Sequence, residues 1–441
     1  MFTDKQLKDM ILPLFMEQLL VMLVGIADTF VVSYAGESAV SGVSLVNSFN
    51  TIFIYMFTAL AAGGAVVVSQ YLGRKDEKMA SESVSQLLTI SSLVSVVLMV
   101  IVLVLNKIML QTLFGRVEPE VMEACLTYLR ISAYSYPALA VYNAGAAMYR
   151  SIGKTSVTMY ISIVSNVINL IGNCIGVFVL HAGVAGVAWP SLIARVFSAV
   201  VITVLCYQNK YGICYRNQWI LKWNKVIQKN MLTIAIPNSL ESGIFQFVKV
   251  ALSSVVAMFG TYQIAANGIA QSIWSLAAVV CVTMGPVFIT VIGQCMGAGD
   301  TVQAERYFKK LLKVSIILAA IWNGLIFAIT PLVMQGYAVE PKTRTLTIVL
   351  VLIHNVFNAV AFPFADPLGK GLRAAGVVKF SMIVSIFTTV CIRLVFSILF
   401  AVVLNMGVIG IALAMSLDWV IRGIIFWIRF THGKWRNFRV I

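Results

Sequence analysis

Asp28 lies deep in an apolar segment, in GIADTF. A carboxylate at membrane depth is costly to keep without a use. Its natural chemistry there is to take a proton or a monovalent cation. A second apolar segment supplies candidate partners. Ser162, Asn166, Asn169 and Asn173 follow one another at i, i+4, i+7 and i+11, which is one face of a helix. Amide and hydroxyl oxygens are hard ligands suited to Na⁺, or members of a proton network around a carboxylate. The alternative use of such a stripe is packing, since Asn and Ser also bond helices to one another in membranes.

Four further acids fall within or near apolar segments. Glu17 and Glu241 each stand four residues after a proline, Pro13 and Pro237. A proline frees a backbone carbonyl one turn back and can kink the helix. Lys249 follows Glu241 by eight residues on roughly the same face, which predicts a Glu241–Lys249 ion pair. Glu17, Glu241 and Lys249 are equally candidates for lining a cavity or holding a secondary charge. Asp418 and Arg422 read as a structural i,i+4 pair. Asp366 lies near a helix end, where water can solvate it. Gly153-Lys154-Thr155 resembles the end of a phosphate-binding loop, but Met148 stands where that motif needs glycine, and the segment before it is an apolar helix. No other nucleotide motif occurs, so ATP is not expected as a partner. His181, His354 and His432 are isolated and lack metal-ligand spacing. The seven cysteines form no CxxC pair. No enzyme active site emerges and no cofactor is implied.

The elements that hold these residues follow from composition. Of 441 residues, 60% are hydrophobic and only 11% charged, against roughly 25% charged in soluble proteins. That excludes a soluble enzyme and a disordered chain. Twelve apolar segments lie near 11–34, 46–71, 84–106, 126–149, 156–179, 184–208, 231–258, 264–295, 311–334, 346–369, 378–404 and 408–430. They are too long and too evenly apolar for barrel strands. The fold class predicted is an all-α integral membrane protein with twelve transmembrane helices. The net charge of +15 fits basic cytoplasmic loops better than nucleic-acid binding. With both termini cytoplasmic, the inner segments carry 23 Lys and Arg, Arg439 among them, and the outer segments 4, including Arg116. Segment 209–230 holds five of the inner bases and no acid, and reads as a cytoplasmic linker between an N-lobe, 1–208, and a C-lobe, 231–441.

Those halves are repeats. At an offset of 224, Pro13 meets Pro237, Glu17 meets Glu241, Ser48 meets Ser272, and Gln70, Gly73 and Asp76 meet Gln294, Gly297 and Asp300. Arg150-x-x-Gly153 meets Arg373-x-x-Gly376 after a slip of one. Six segments per repeat is an even number, so both repeats enter the membrane from the same side. Two such six-helix lobes are the architecture of an alternating-access carrier. The second repeat carries Leu252 opposite Asp28, Arg393 opposite Asn169 and Ser397 opposite Asn173, so no cation site is expected at those positions of the C-lobe.

Several motifs carry a family resemblance over essentially the whole chain. GIADTFVVSYAGESAVSGVSLVNS, GGAVVVSQYLGRKD, IPNSLESGIFQF, IAANGIAQS, GKGLRAAG and MSLDWVIR resemble the bacterial carriers of the multidrug and toxic compound extrusion family. The resemblance implies an antiporter in the plasma (inner) membrane that exports organic cations or other xenobiotics in exchange for Na⁺ or H⁺, with the lipid bilayer as its surroundings and a monomer as its working unit. Asp28 matches the family's acid in the first span. Asn169 and Asn173 match an Asn-x-x-x-Asp pair in the fifth, and Ser191 matches a threonine in the sixth. Together they imply a cation site at which Na⁺ is held by Asp28, Asn169 and Asn173. Asn173 stands where many members carry Asp, which removes one titratable group. Val377 stands where many carry Asp in a cytoplasmic loop, and the tenth-span acid of some members has no match. With one carboxylate and several neutral oxygens, Na⁺ and H⁺ compete for Asp28. The alternative reading is a flippase for lipid-linked saccharides of the same wider superfamily, which would favour a cleft rich in Arg and Lys.

Overall fold

A computed structural model describes residues 2–114, 118–337, 339–438 and 440–441. Arg116 and Arg439, two of the bases counted above, lie outside the described residues. Every regular element of the described chain is helical, with no strand among the described residues. It divides into two compact units, residues 2–239 and 240–441.

In the first unit, helix α1 spans Asp4–Ser33. Thr3 caps it: Thr3 Oγ1 accepts from the Gln6 backbone N–H, and Gln6 Oε1 accepts from the Thr3 N–H. Helices α2 (Glu37–Gly73), α3 (Glu77–Phe114), α4 (Pro119–Tyr134) and α5 (Tyr136–Ser151) follow. The apolar segment expected at 126–149 is therefore broken at Ser135. Pro137, in the first turn of α5, has no N–H to give to α4 and stops it. Eleven helical stretches among the described residues are long and apolar enough to cross a membrane, the one interrupted at Ala278 among them, and α4 with α5 supplies the twelfth segment.

Helix α6 (Thr155–Cys174) continues as a π-helical turn, Ile175–Val179, and α7 spans Ala185–Tyr207. Glycines decide how these two meet. A Cβ on Gly176 would come within 2.1 Å of the Gly186 carbonyl oxygen, and one on Gly172 within 2.6 Å of the Pro190 ring. Only small residues permit so close a crossing. The crossing brings the α6 asparagines beside Ser191 on α7.

The basic segment 209–230 is pinned along α3 rather than loose. The Cys214 and Arg216 N–H groups donate to Ser81 and Ser85 Oγ, Thr89 Oγ1 donates to the Ile220 carbonyl, and Gln86 Nε2 donates to the carbonyls of Trp219 and Lys222. One short helix, α8 (Asn217–Ile220), lies within it, and α9 (Lys225–Val256) follows. The boundary between the units falls inside α9, downstream of the linker expected at 209–230.

The second unit continues with α10 (Thr261–Ala277), α11 (Val279–Gly297), α12 (Thr301–Gln335) and α13 (Pro341–Val360). Two short helices, α14 (Phe362–Ala365) and α15 (Pro367–Ala374), come next, with Pro363 and Pro367 ending the preceding turns. Then come α16 (Val378–Phe387), a π-helical stretch Thr388–Leu394, α17 (Val395–Ile398), a second π turn Leu399–Val403, and α18 (Val408–Thr431). Trp274 stacks on the fully buried Trp419 with ring centroids 5.8 Å apart, and Phe362 packs against both.

Candidate functional site

Asp28 projects from α1 toward the polar stripe of α6. Asn169 Nδ2 donates to Asp28 Oδ2 at 2.9 Å, and Asn173 Nδ2 donates to Oδ1 at 2.8 Å. Ser191 Oγ, from α7, donates to Asn169 Oδ1 at 2.9 Å. The four residues expected to form the cation site are thus one connected cluster. Each carboxylate oxygen has one donor and keeps lone pairs free to bind a cation or proton. Asn173 is fully buried, and its Oδ1 has no hydrogen-bond partner. An unpaired acceptor beside a carboxylate fits a bound cation, which would satisfy both. Among the described residues no group of three or more His, Cys, Asp or Glu could hold a metal, so the donor set is one of hard neutral oxygens around a single acid.

Asp28 opens onto a cavity of about 360 Å³, within the range of small-molecule sites. Ser162 and Asn166, the other half of the stripe, line this cavity and bond to each other at 3.4 Å without reaching Asp28. The stripe therefore divides into a pair that holds the carboxylate and a pair that lines the space before it. Glu17 also borders the cavity. Its carboxylate is buried against Arg150 at 2.9 Å and accepts from Thr158 Oγ1 at 2.9 Å. Glu17 is therefore cavity lining and ion-pair partner at once.

Glu241 corrects the expectation made for it. It pairs with Arg373 at 2.6 Å, while the Lys249 side chain is exposed and makes no ion pair among the described residues. The Glu241–Arg373 pair is the repeat counterpart of Glu17–Arg150. Asp366, near a helix end and with its side chain 27% exposed, also pairs with Lys370 at 2.7 Å. Asp418 pairs with Arg422 as expected, at 2.7 Å, and Arg393 joins them at 2.9 Å.

Sequence reasoning missed four residues of this region. Arg195 lines the cavity, donates to Ser135 Oγ at 2.6 Å and lies within electrostatic reach of Asp28. Tyr142 lies against Glu17, and Tyr128 donates to Asn47 Oδ1 at 3.2 Å. Arg195 had a legible signal: it stands four residues after Ser191, on the same face of α7. The two tyrosines and Asn47 had none, because they come from other helices.

Comparison with known proteins places this arrangement. The chain is 24% identical to the uncharacterized transporter YisQ of Bacillus subtilis, over 96% of this chain and 93% of that protein. It is 20% identical to the Thermotoga maritima protein named "Probable multidrug resistance protein NorM", over 99% and 94%. A solved structure described as the outward-facing conformation of a multidrug resistance MATE family transporter of the MOP superfamily shares the fold, with a TM-score of 0.90 at 19% identity over 97% of this chain and 96% of that one. The MatE family model matches residues 13–175 and again 237–399, two copies set apart by the offset of 224 found within the sequence. The chain belongs to the MatE family, the multidrug and toxic compound extrusion transporters.

Proposed function

We propose that this chain is a cation-coupled antiporter that exports organic cations and other xenobiotics by alternating access. The observation that carries the reading is the Asp28 carboxylate, held by Asn169 and Asn173 at the wall of a cavity of about 360 Å³. Relatives named for multidrug resistance support the export half of it. The coupling ion loads at Asp28, with Asn169, Asn173 and Ser191 completing the site. That ion is transported rather than resident. Na⁺ is the ion favoured, because one negative charge and the unpartnered Asn173 Oδ1 suit a monovalent cation with little surplus charge. Ion and drug need not share a site. They need only favour opposite conformations of the carrier. The 23-to-4 distribution of Lys and Arg supports a plasma-membrane orientation with both termini cytoplasmic.

The test is ethidium efflux in vesicles containing the full chain. A Na⁺ gradient imposed at fixed pH is expected to drive export. Export driven by a pH gradient alone, with no effect of Na⁺, makes Asp28 a proton carrier instead. No export under either gradient overturns the antiporter reading. Orientation is checked separately by cysteine tags within 209–230, expected to react only from the cytoplasmic side. Labelling from outside reverses the topology.

A further inference from the structure

The positions of the second unit that match Asn169 and Asn173 hold Arg393 and Ser397, and those matching Ala194 and Ser198 hold Asp418 and Arg422. Asp418 is fully buried between the two guanidinium groups, Arg422 at 2.7 Å and Arg393 at 2.9 Å. Arg422 is further bonded by Thr388 Oγ1 at 3.0 Å and Thr389 Oγ1 at 2.8 Å. One carboxylate for two guanidinium groups leaves one positive charge in excess. The other described acids of this unit sit elsewhere. Glu241 is with Arg373, Asp366 with Lys370, Glu305 with Lys309 and Arg436, Asp300 at the α12 N-terminus, and Glu340 before α13. Charge buried at membrane depth without a counter-charge is expensive.

The unmet capacity gathers around Arg393. Its Nε has no partner. Four residues on, Ser397 is fully buried with an unpartnered Oγ. His354 on α13 is 1% exposed, neither of its ring nitrogens has a partner, and it lies within electrostatic reach of Arg393. The Phe245 ring covers one side of the guanidinium, 4.9 Å from it. A ring face attracts the charge but does not neutralise it. Arginine Nε–H, serine O–H and one imidazole N–H are all donors. Water would satisfy the donors but leave the charge uncompensated.

We propose that Arg393, Ser397 and His354 form a binding site for a small monovalent anion, a halide or a carboxylate, in the second unit. The repeat thereby places an anion site where the first unit has its cation cluster. The proposal stands independently of which ion or drug the carrier moves.

The test is thermal unfolding of the purified full-length protein in detergent at constant ionic strength, with gluconate replaced stepwise by chloride or by formate. The wild type is expected to gain stability saturably as a small anion replaces gluconate. A response to chloride alone assigns a halide, and a response to formate as well extends the site to carboxylates. Arg393→Gln leaves Asp418 and Arg422 as a neutral pair and is expected to lose the anion response. Ser397→Ala, the milder variant, is expected to bind about fivefold more weakly, the loss of one hydrogen bond. A wild type indifferent to every small anion, or a folded Arg393→Gln with an unchanged response, overturns the proposal.

Discussion

At position 169 the first repeat carries an asparagine that holds a carboxylate, and 224 residues later the second carries an arginine that is held by one. In the first unit Asp28 is half-buried, faces a cavity and, among the described residues, is bonded only by neutral amides. In the second, Asp418 is fully buried and locked between two guanidinium groups. Neutral amides stabilise a carboxylate yet leave it free to exchange its ion. Two guanidinium groups, one on either side, occupy it permanently. One backbone plan thus carries an acid open to a cavity in one copy and an acid enclosed by guanidinium groups in the other. The Glu17–Arg150 and Glu241–Arg373 pairs, by contrast, are the same device twice.

Removing the structural acid is the sharpest way to break this contrast. Asp418→Ala strands two buried guanidinium groups and is expected to cost about 3–5 kcal/mol of stability. Thermal unfolding in detergent should show a lowered midpoint, and an unchanged midpoint would mean the triad is not structural. Next in size are the paired glutamates. Glu17 is more deeply buried than Glu241, with side chains 5% and 18% exposed. Glu17→Gln is therefore expected to destabilise by about 2 kcal/mol and Glu241→Gln by less. Equal losses would show that burial does not set the difference. The smallest effect on stability is expected in the Asp28 cluster. Asn169→Ala removes one hydrogen bond to a charged group and leaves Asn173 in place. Efflux should need about tenfold more of the coupling ion, a change of roughly 1.4 kcal/mol, with the unfolding midpoint nearly unmoved. A large fall in midpoint with normal ion dependence would make Asn169 helix packing only.

Much of this was legible before the fold. Asp28 and the α6 stripe announce themselves because polar groups in apolar segments are few, and helical spacing says which share a face. The repeat could be read from identities at one offset. What failed was the partner of Glu241. Lys249, eight residues away, looked suitable, but Arg373 is brought in from 132 residues along the chain. A signal existed, since both repeats carry the glutamate and the arginine, but sequence spacing alone does not join them. The break at Ser135 was hidden because apolarity continues through it while Pro137 interrupts the backbone bonding. The cavity walls were hidden because they assemble from six helices.

The most direct test of the central claim is Asp28→Asn, which keeps size and shape and removes the charge. The variant, reconstituted in vesicles beside the wild type, is assayed for ethidium export under an imposed Na⁺ or pH gradient, and its unfolding midpoint is measured in parallel. The expected result is a folded protein, within a degree or two of the wild-type midpoint, with gradient-driven export abolished. Wild-type export by the folded Asp28→Asn protein would contradict the account and move the coupling carboxylate away from Asp28.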